Sequence, residues 1–362
     1  GYVTDQEPQE FTFEYQGSGT SVAEYAFTFE DEQTTVELSK ADLTDKKELP
    51  GASLKVTDED GNTVDEWVSK EEAHIIKGLI VGKKYKMTET KPADGYVTAE
   101  SIEFTVENTK EVQKHQMLDD VTKVEISKKD ITDSSEVPGA KLIILDKDGK
   151  KVESWTSTDK PHMVEKLPVG EYTLREEQAP DGYLIAEDVK FTVKDTGKVQ
   201  KVKMKDAHPY GKLVIKKTDS TSKAALPGAE FELREKESGK VVEKLVTDKT
   251  GTATSGKLPI ATYKNGKVEK TVEYILVETK APNGYELSSK KEEIRFEYKD
   301  GKTKVIEIVK EIKNTKSPSG STPTGNSPKT GDSTNIWLPI LLAVLSACGI
   351  GGVIWYKKKK GN

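Results

Sequence analysis

Between about residues 34 and 316, apolar and polar residues tend to alternate with a period of two. Ala52-Ser53-Leu54-Lys55-Val56 and Ala229-Glu230-Phe231-Glu232-Leu233 are examples. Such alternation puts apolar side chains on one face of a strand and polar ones on the other, as in half-buried antiparallel strands. Asp60-Gly61 and Asp148-Gly149 stand between runs of this kind as hairpin turn signals. No stretch here keeps a 3.6-residue apolar period long enough for a substantial helix. The pattern predicts an all-β chain, a string of tandem antiparallel β-sandwiches of the Ig-like or prealbumin-like type.

The strands recur as a long repeat. Val36-Glu37-Leu38-Ser39-Lys40, Val124-Glu125-Ile126-Ser127-Lys128 and Leu213-Val214-Ile215-Lys216-Lys217 align. Each is followed by a Pro-Gly-Ala turn, at Pro50-Gly51-Ala52, Pro138-Gly139-Ala140 and Pro227-Gly228-Ala229. Further on, each carries a glutamate before a Gly-Tyr pair: Glu89 with Gly95-Tyr96, Glu176 with Gly182-Tyr183, and Glu278 with Gly284-Tyr285. The lysines stand 88 and 89 residues apart, a domain period and not a solenoid period. The predicted domains are 34–121, 122–208 and 209–316. Residues 1–33 read as the remnant of an upstream domain, with Gly1-Tyr2 as its Gly-Tyr pair, Phe11-Thr12-Phe13 a strand and Ala26 to Asp31 its last strand. That remnant is expected to pack poorly, and a leader peptide is expected upstream of it. The third repeat is longer, with extra residues around Ile260 to Lys267 that read as a lengthened hairpin. A spacer loop is favoured there over a finger for a host ligand.

Composition narrows the function. Lys+Arg (56) and Asp+Glu (62) nearly cancel to a net charge of -6, which argues against nucleic-acid binding and for a solvated extracellular surface. The single cysteine, Cys348, permits no disulfide within the chain. No Cys/His spacing suits a metal. His74, His115, His162 and His208 read as surface histidines in unrelated contexts. Asp58-Glu59-Asp60-Gly61 and Asp146-Lys147-Asp148-Gly149 resemble calcium loops only faintly. Val56 and Ile144 occupy a position that needs an oxygen ligand, and no glutamate closes the loop, so they are turns.

Taken together, the Ser-Lys strand, the Pro-Gly-Ala turn, the glutamate before Gly-Tyr and an acid or amide ending the last strand resemble Cna protein B-type domains. These are the prealbumin-like folds also described as SpaA-type pilin domains. The resemblance covers about residues 34–316. It implies a spontaneous intramolecular isopeptide bond in each domain, joining the lysine of the first strand to an Asp or Asn of the last. The glutamate assists, and no cofactor or metal takes part. Carried over by position, the sets are Lys40, Glu89 and Asp119; Lys128, Glu176 and Asp206; and Lys217, Glu278 and Asn314. Asp31 would be the acceptor of the remnant. Asp120, Lys129 and Lys216 are rival candidates, because only one of two adjacent strand residues can point inward.

The chemistry is reasonable on physical grounds. Lysine attacks a carbonyl only as the free amine, and burial disfavours the ammonium. The same burial favours a protonated glutamate that can hydrogen-bond the acceptor and move protons. A fixed strand geometry holds nucleophile and carbonyl together.

Downstream, residues 317–326 are a Ser/Pro/Gly/Thr linker. Ser327-Pro328-Lys329-Thr330-Gly331 comes next, then an apolar run over 336–356 and Lys357 to Lys360. The run has 21 residues, enough for one C-terminal transmembrane helix, with the lysines held on the cytoplasmic side. The ordered trio over 327–362 resembles a sortase sorting signal. That implies cleavage between Thr330 and Gly331 and transfer of the Thr330 acyl group to a peptidoglycan amine, with membrane contact only before sorting. Ser327 stands where the usual motif has Leu, which implies a class B-like sortase.

The expected protein is a wall-anchored surface stalk of a Gram-positive bacterium, of adhesin or accessory pilin type, with a host extracellular-matrix or cell-surface ligand. The alternative is the stalk of a surface enzyme whose catalytic domain lies upstream. The chain itself has no nucleophile triad or phosphate loop and is not expected to be a turnover enzyme. His208-Pro209-Tyr210-Gly211-Lys212 has the wrong order for the lysine segment of a polymerised shaft.

Overall fold

A computed structural model describes residues 1–4, 10–19, 24, 26, 28 and 30–318. All regular structure among them is β. Strands β1 (Tyr2–Val3) and β2 (Glu32–Gln33) form a two-stranded antiparallel pair. The first repeat holds β3 (Thr35–Asp42), β4 (Ser53–Thr57), β5 (Thr63–Val68), β6 (His74–Lys77), β7 (Lys84–Lys91), β8 (Ile102–Thr105) and β9 (Gln113–Asp119). The second holds β10 (Lys123–Asp130), β11 (Lys141–Leu145), β12 (Lys151–Thr156), β13 (His162–Glu165), β14 (Gly170–Gln178), β15 (Val189–Val193) and β16 (Gln200–Asp206). In the third, β17 (Tyr210–Asp219), β18 (Glu230–Glu235), β19 (Val241–Val246), β20 (Thr252–Thr254) and β21 (Leu258–Pro259) are followed by a hairpin of β22 (Ala261–Lys264) and β23 (Lys267–Thr271). Then come β24 (Glu273–Lys280), β25 (Glu292–Arg295) and β26 (Val305–Asn314).

Each repeat is a sandwich of two sheets. In the first, a three-stranded sheet β6-β3-β9 faces a four-stranded sheet β5-β4-β7-β8, and the second repeats this as β13-β10-β16 and β12-β11-β14-β15. The third keeps β19-β18-β24-β25 and pairs β17 with β20, β21 and β26. The inward rows predicted by alternation close one apolar core per repeat, around Leu38, Leu54 and Met87, around Ile126, Leu142 and Leu174, and around Ile215, Phe231 and Leu276.

The expected purely antiparallel arrangement needs correction. The first and last strands of each repeat, β3 with β9, β10 with β16 and β17 with β26, run parallel. A parallel neighbour needs a long crossover, and here the crossover is the rest of the domain, which single-strand alternation does not reveal. In the first 33 residues, Phe11, Thr12 and Phe13 do not form a strand. Of the predicted last strand, Ala26, Thr28, Glu30 and Asp31 are outside any strand, while residues 27 and 29 lie outside the described residues. Last strands in this fold pair along a lysine strand, and residues 1–33 contain none.

The histidines also depart from expectation. All four are half-buried. His74 and His162 occupy equivalent places, stacked on Trp67 and Trp155 at 4.2 and 4.4 Å, because a flat imidazole fills the open edge of the sandwich. His208 lies 2.8 Å from Asp130 Oδ2, and His115 stacks on Phe104 at 4.5 Å.

The β22–β23 hairpin neither projects as a finger nor acts as a free spacer, because its inner face packs on the second repeat. Tyr263 stacks flat on His208 at 3.5 Å and donates to Gly182 O at 2.8 Å. Gly182 has φ +90°, and a Cβ there would collide with Val268 of the hairpin, so this contact requires glycine on both counts. Tyr298 also donates to Tyr183 O (3.1 Å), and Ile185 N donates to Gly301 O (2.8 Å). The preceding joint is more polar. Thr98 donates to Asp195 twice (2.9 and 2.7 Å), and Lys166 Nζ donates to Tyr96 Oη (2.6 Å).

Candidate crosslinking sites

The lysine strands begin with alternating burial, and the inward phase carries Val36, Leu38 and Lys40, Ile126 and Lys128, and Ile215 and Lys217. Strand β17 keeps the alternation through its lysine, while Ser39, Ala41 and Ser127 are also buried in β3 and β10. An inward lysine arises because it lies two residues beyond an inward aliphatic residue on a strand. The rivals are placed by the same rule. Lys216 points to solvent, Lys129 is half-buried and pairs with Glu136 (2.8 Å), and Asp120 pairs with Lys123 (2.8 Å).

Parallel register completes the site. Lys40 is opposite Met117 and Asp42 is opposite Asp119; Lys128 is opposite Met204 and Asp130 is opposite Asp206; Lys217 is opposite Ile312 and Asp219 is opposite Asn314. The acceptor therefore lies one inward position diagonally beyond the lysine, within reach of a long side chain. The glutamates come from the facing sheet, on β7, β14 and β24, opposite Leu54, Leu142 and Phe231. Each site thus spans the interior of a sandwich, and all nine residues are at most 4% exposed.

The contacts recur three times. Lys40 Nζ donates to Asp119 Oδ1, Lys128 Nζ to Asp206 Oδ1, and Lys217 Nζ to Asn314 Oδ1. The same ammonium groups lie 2.9, 3.0 and 2.9 Å from Glu89 Oε1, Glu176 Oε2 and Glu278 Oε1. Each glutamate is fixed in turn by a backbone N–H, from Ala99 (2.6 Å), Ala186 (2.6 Å) and Ser288 (2.8 Å). Burial, with the adjacent glutamate, pushes Asp119 and Asp206 up to about 7 against the pull of their lysines. Burial also lowers the Lys217 pKa, against the pull of Glu278. A more neutral carboxyl in the two Asp sites and a freer amine in the Asn site are each a direction that favours amide formation. In the third site Asn314 Nδ2 donates to Glu278 at 2.9 and 3.2 Å, and a cleft of about 330 Å³ opens beside Glu278.

One set of residues was not singled out from the sequence. Asp42, Asp130 and Asp219, two residues after each lysine, end the lysine strands and accept from Tyr96 (2.8 Å), Tyr183 (2.8 Å) and Tyr285 (2.9 Å). Their recurrence at the same offset was the available signal.

Among the described residues no group of His, Cys, Asp and Glu could hold a metal, and no helix is long and apolar enough to cross a membrane. Ser327, Pro328, Lys329, Thr330 and Gly331 and the predicted span 336–356 lie outside the described residues.

Comparison with known proteins bears on the fold and the family. No curated protein matches the sequence. Among solved structures, the Bacillus anthracis TIE protein is 28% identical with a TM-score of 0.52, over 78% of this chain and 51% of its own. The chain therefore spans about half the length of that relative. BcpA, the major pilin subunit of Bacillus cereus, is 19% identical with a TM-score of 0.47, over 79% of this chain and 100% of its own. The major pilin SpaD of Corynebacterium diphtheriae is 18% identical with a TM-score of 0.37, over 79% of this chain and 98% of its own. The SpaA prealbumin-like fold domain matches three times, over residues 34–120, 122–208 and 211–312, and the chain belongs to that family.

Proposed function

We propose that this chain is the crosslinked stalk of a surface protein of a Gram-positive bacterium, of adhesin or accessory pilin type, attached covalently to the cell wall. The observation that carries this reading is the threefold burial of a lysine between a glutamate and an Asp or Asn at the ends of parallel strands. In each domain the lysine Nζ attacks the acceptor carbonyl carbon and a C–N bond forms. The C–O bond of Asp119 or Asp206 breaks with loss of water, and the C–N bond of Asn314 breaks with loss of ammonia. Glu89, Glu176 and Glu278 take the proton from the amine and return it to the leaving group. Each site reacts once, so the chain is structural and not a turnover enzyme.

The bond would tie the first strand to the last across 79, 78 and 97 residues. By the loop-closure argument used for disulfides, this restricts the unfolded chain by about 4–5 kcal/mol. Because the joined strands are the two ends of the domain, a pull along the stalk passes through covalent bonds and the sheets between them bear no load. Anchoring follows from Ser327 to Gly331, with a class B-like sortase as the partner enzyme and a peptidoglycan amine as the second substrate.

Intact mass of residues 1–316 tests the crosslinks, with Lys40→Ala, Lys128→Ala and Lys217→Ala made in parallel. The expected deficit is two waters and one ammonia, and each substitution should restore one loss. An unmodified mass would remove the crosslinks and leave the β-stalk. Sorting is tested separately by incubation with sortases of different classes and peptide amines, where no cleavage after Thr330 would remove the anchor.

A further inference from the structure

The acceptors are the last residues of their strands, Asp119 on β9, Asp206 on β16 and Asn314 on β26. Strand ends fray, and a misplacement of about 1 Å can cost a reaction about a hundredfold. Something must therefore hold the acceptor until its lysine attacks.

Three contacts converge on that point in every domain. The acceptor carbonyl accepts from the residue after the strand-ending aspartate: Leu43 N to Asp119 O (2.8 Å), Ile131 N to Asp206 O (3.0 Å) and Ser220 N to Asn314 O (3.0 Å). The carbonyl just after the acceptor is taken by the residue following the Gly-Tyr pair: Val97 N to Asp120 O (2.9 Å), Leu184 N to Ala207 O (2.9 Å) and Glu286 N to Thr315 O (3.0 Å). The loop is closed by the Tyr hydroxyl on Asp42, Asp130 or Asp219, which sits directly opposite the acceptor in the register. We propose that the pairs Tyr96–Asp42, Tyr183–Asp130 and Tyr285–Asp219 are latches that position the acceptor against the lysine before the isopeptide bond forms.

This proposal rests on the crosslinking read above. The aspartates suit the task because their other oxygen is held by the turn: Thr44 N donates to Asp42 (2.7 Å), Thr132 N to Asp130 (2.6 Å), and Thr221 N and Ser222 N to Asp219 (2.8 and 2.7 Å). Although burial pushes it up, Asp42 is held down to about 2 by the Thr44 N–H and the Tyr96 hydroxyl. The latch is thus a charge-assisted hydrogen bond, the stronger kind. In the first two domains a further group adds a second contact, Lys166 Nζ of the next repeat at 3.4 Å from Asp42 and His208, the last residue of the second repeat, at 2.8 Å from Asp130. The third latch takes its oxygen contact from Tyr285, which makes it the cleanest to test.

The experiment is a timed acid quench of the full chain made by cell-free synthesis, followed by intact mass. Wild type is compared with Tyr285→Phe, which keeps the ring and removes the hydroxyl. The thermal midpoints of Lys217→Ala and Lys217→Ala/Tyr285→Phe are measured alongside. Slowing of the ammonia loss by about tenfold or more, with unchanged water losses and equal midpoints in the lysine-free pair, is the expected result. Ammonia loss at the wild-type rate in Tyr285→Phe would overturn the latch, as would a slower loss that simply follows a lowered midpoint. A wild-type chain that loses no ammonia or water would instead overturn the crosslinking itself.

Discussion

In the first two domains the buried lysine faces two carboxyls, whereas in the third it faces one carboxyl and an amide. With every group ionised, the first two sites would each carry a net negative charge and the third would be neutral. The hydrogen bonds follow the same division. Asp119 Oδ2 and Asp206 Oδ2 are buried with no hydrogen-bond partner, while Asn314 places an NH₂ group at the matching position and donates it to Glu278. A proton on the acceptor would fill the gap in the Asp sites, and burial with the adjacent glutamate pushes Asp119 and Asp206 in that direction. The Asn site is built with that donor already in place. The two chemistries therefore differ in what must be protonated before attack, although the frame around them is the same.

The largest expected effect comes from removing the lysines. On the proposed crosslinks, Lys40→Ala, Lys128→Ala and Lys217→Ala should each forfeit about 4–5 kcal/mol of loop-closure stabilisation. The first two also leave a pair of buried carboxyls without a cation, a further cost of up to about 3–5 kcal/mol where the pair stays ionised. Denaturant unfolding at pH 8 should rank Lys217→Ala as the mildest, and an equal or larger loss there would break the comparison.

The pH dependence sharpens it. In Lys40→Ala, Asp119 keeps its raised folded value and loses the ammonium that had been pulling it down. A carboxyl raised on folding stabilises fully below its unfolded value, and that contribution disappears as pH rises through the folded value, about 7 or above. Lys40→Ala should lose about 2–4 kcal/mol between pH 4 and pH 8 from this group. Lys217→Ala, whose acceptor does not titrate, should lack this component. Parallel slopes in the two variants would show that the Asp acceptor is not the titrating group.

The smallest effects concern the joints, where the third domain differs again. Tyr263→Ala removes a ring stacked on His208 and a hydrogen bond to Gly182, and should loosen the second joint by about 1–3 kcal/mol. Thr98→Ala removes the exposed hydroxyl contact to Asp195, keeps the backbone N–H contact, and should cost the first joint about 1 kcal/mol or less. Amide exchange at Gly182 to Leu184 and at Tyr96 to Thr98 reads the two joints separately. Equal exchange in both variants would count against the hairpin as the stronger brace.

Much of the site was legible because strand alternation is a local property. Lys40, Lys128 and Lys217 stand at the inward phase of runs such as Val36-Glu37-Leu38, and the repeat supplied Glu89, Glu176 and Glu278 by position. Alternation could not decide between Asp119 and Asp120, because the phase of a last strand depends on its partner. The parallel register decides it by setting Asp119 opposite Asp42. The Tyr–Asp latches escaped notice for a related reason. Their members are 54, 53 and 66 residues apart in sequence, and only the closed sandwich brings them together.

The sequence by itself determined the all-β class, the three-domain period and the residue types of each site, since these depend on side-chain periodicity and recurrence along one chain. The tertiary structure alone decided that first and last strands run parallel, which of two adjacent residues points inward, and that the lengthened hairpin braces the second domain. Those outcomes depend on contacts between residues far apart in sequence, such as 78 for Lys128 and Asp206 and 81 for Tyr263 and Gly182, whose free energy no local pattern contains.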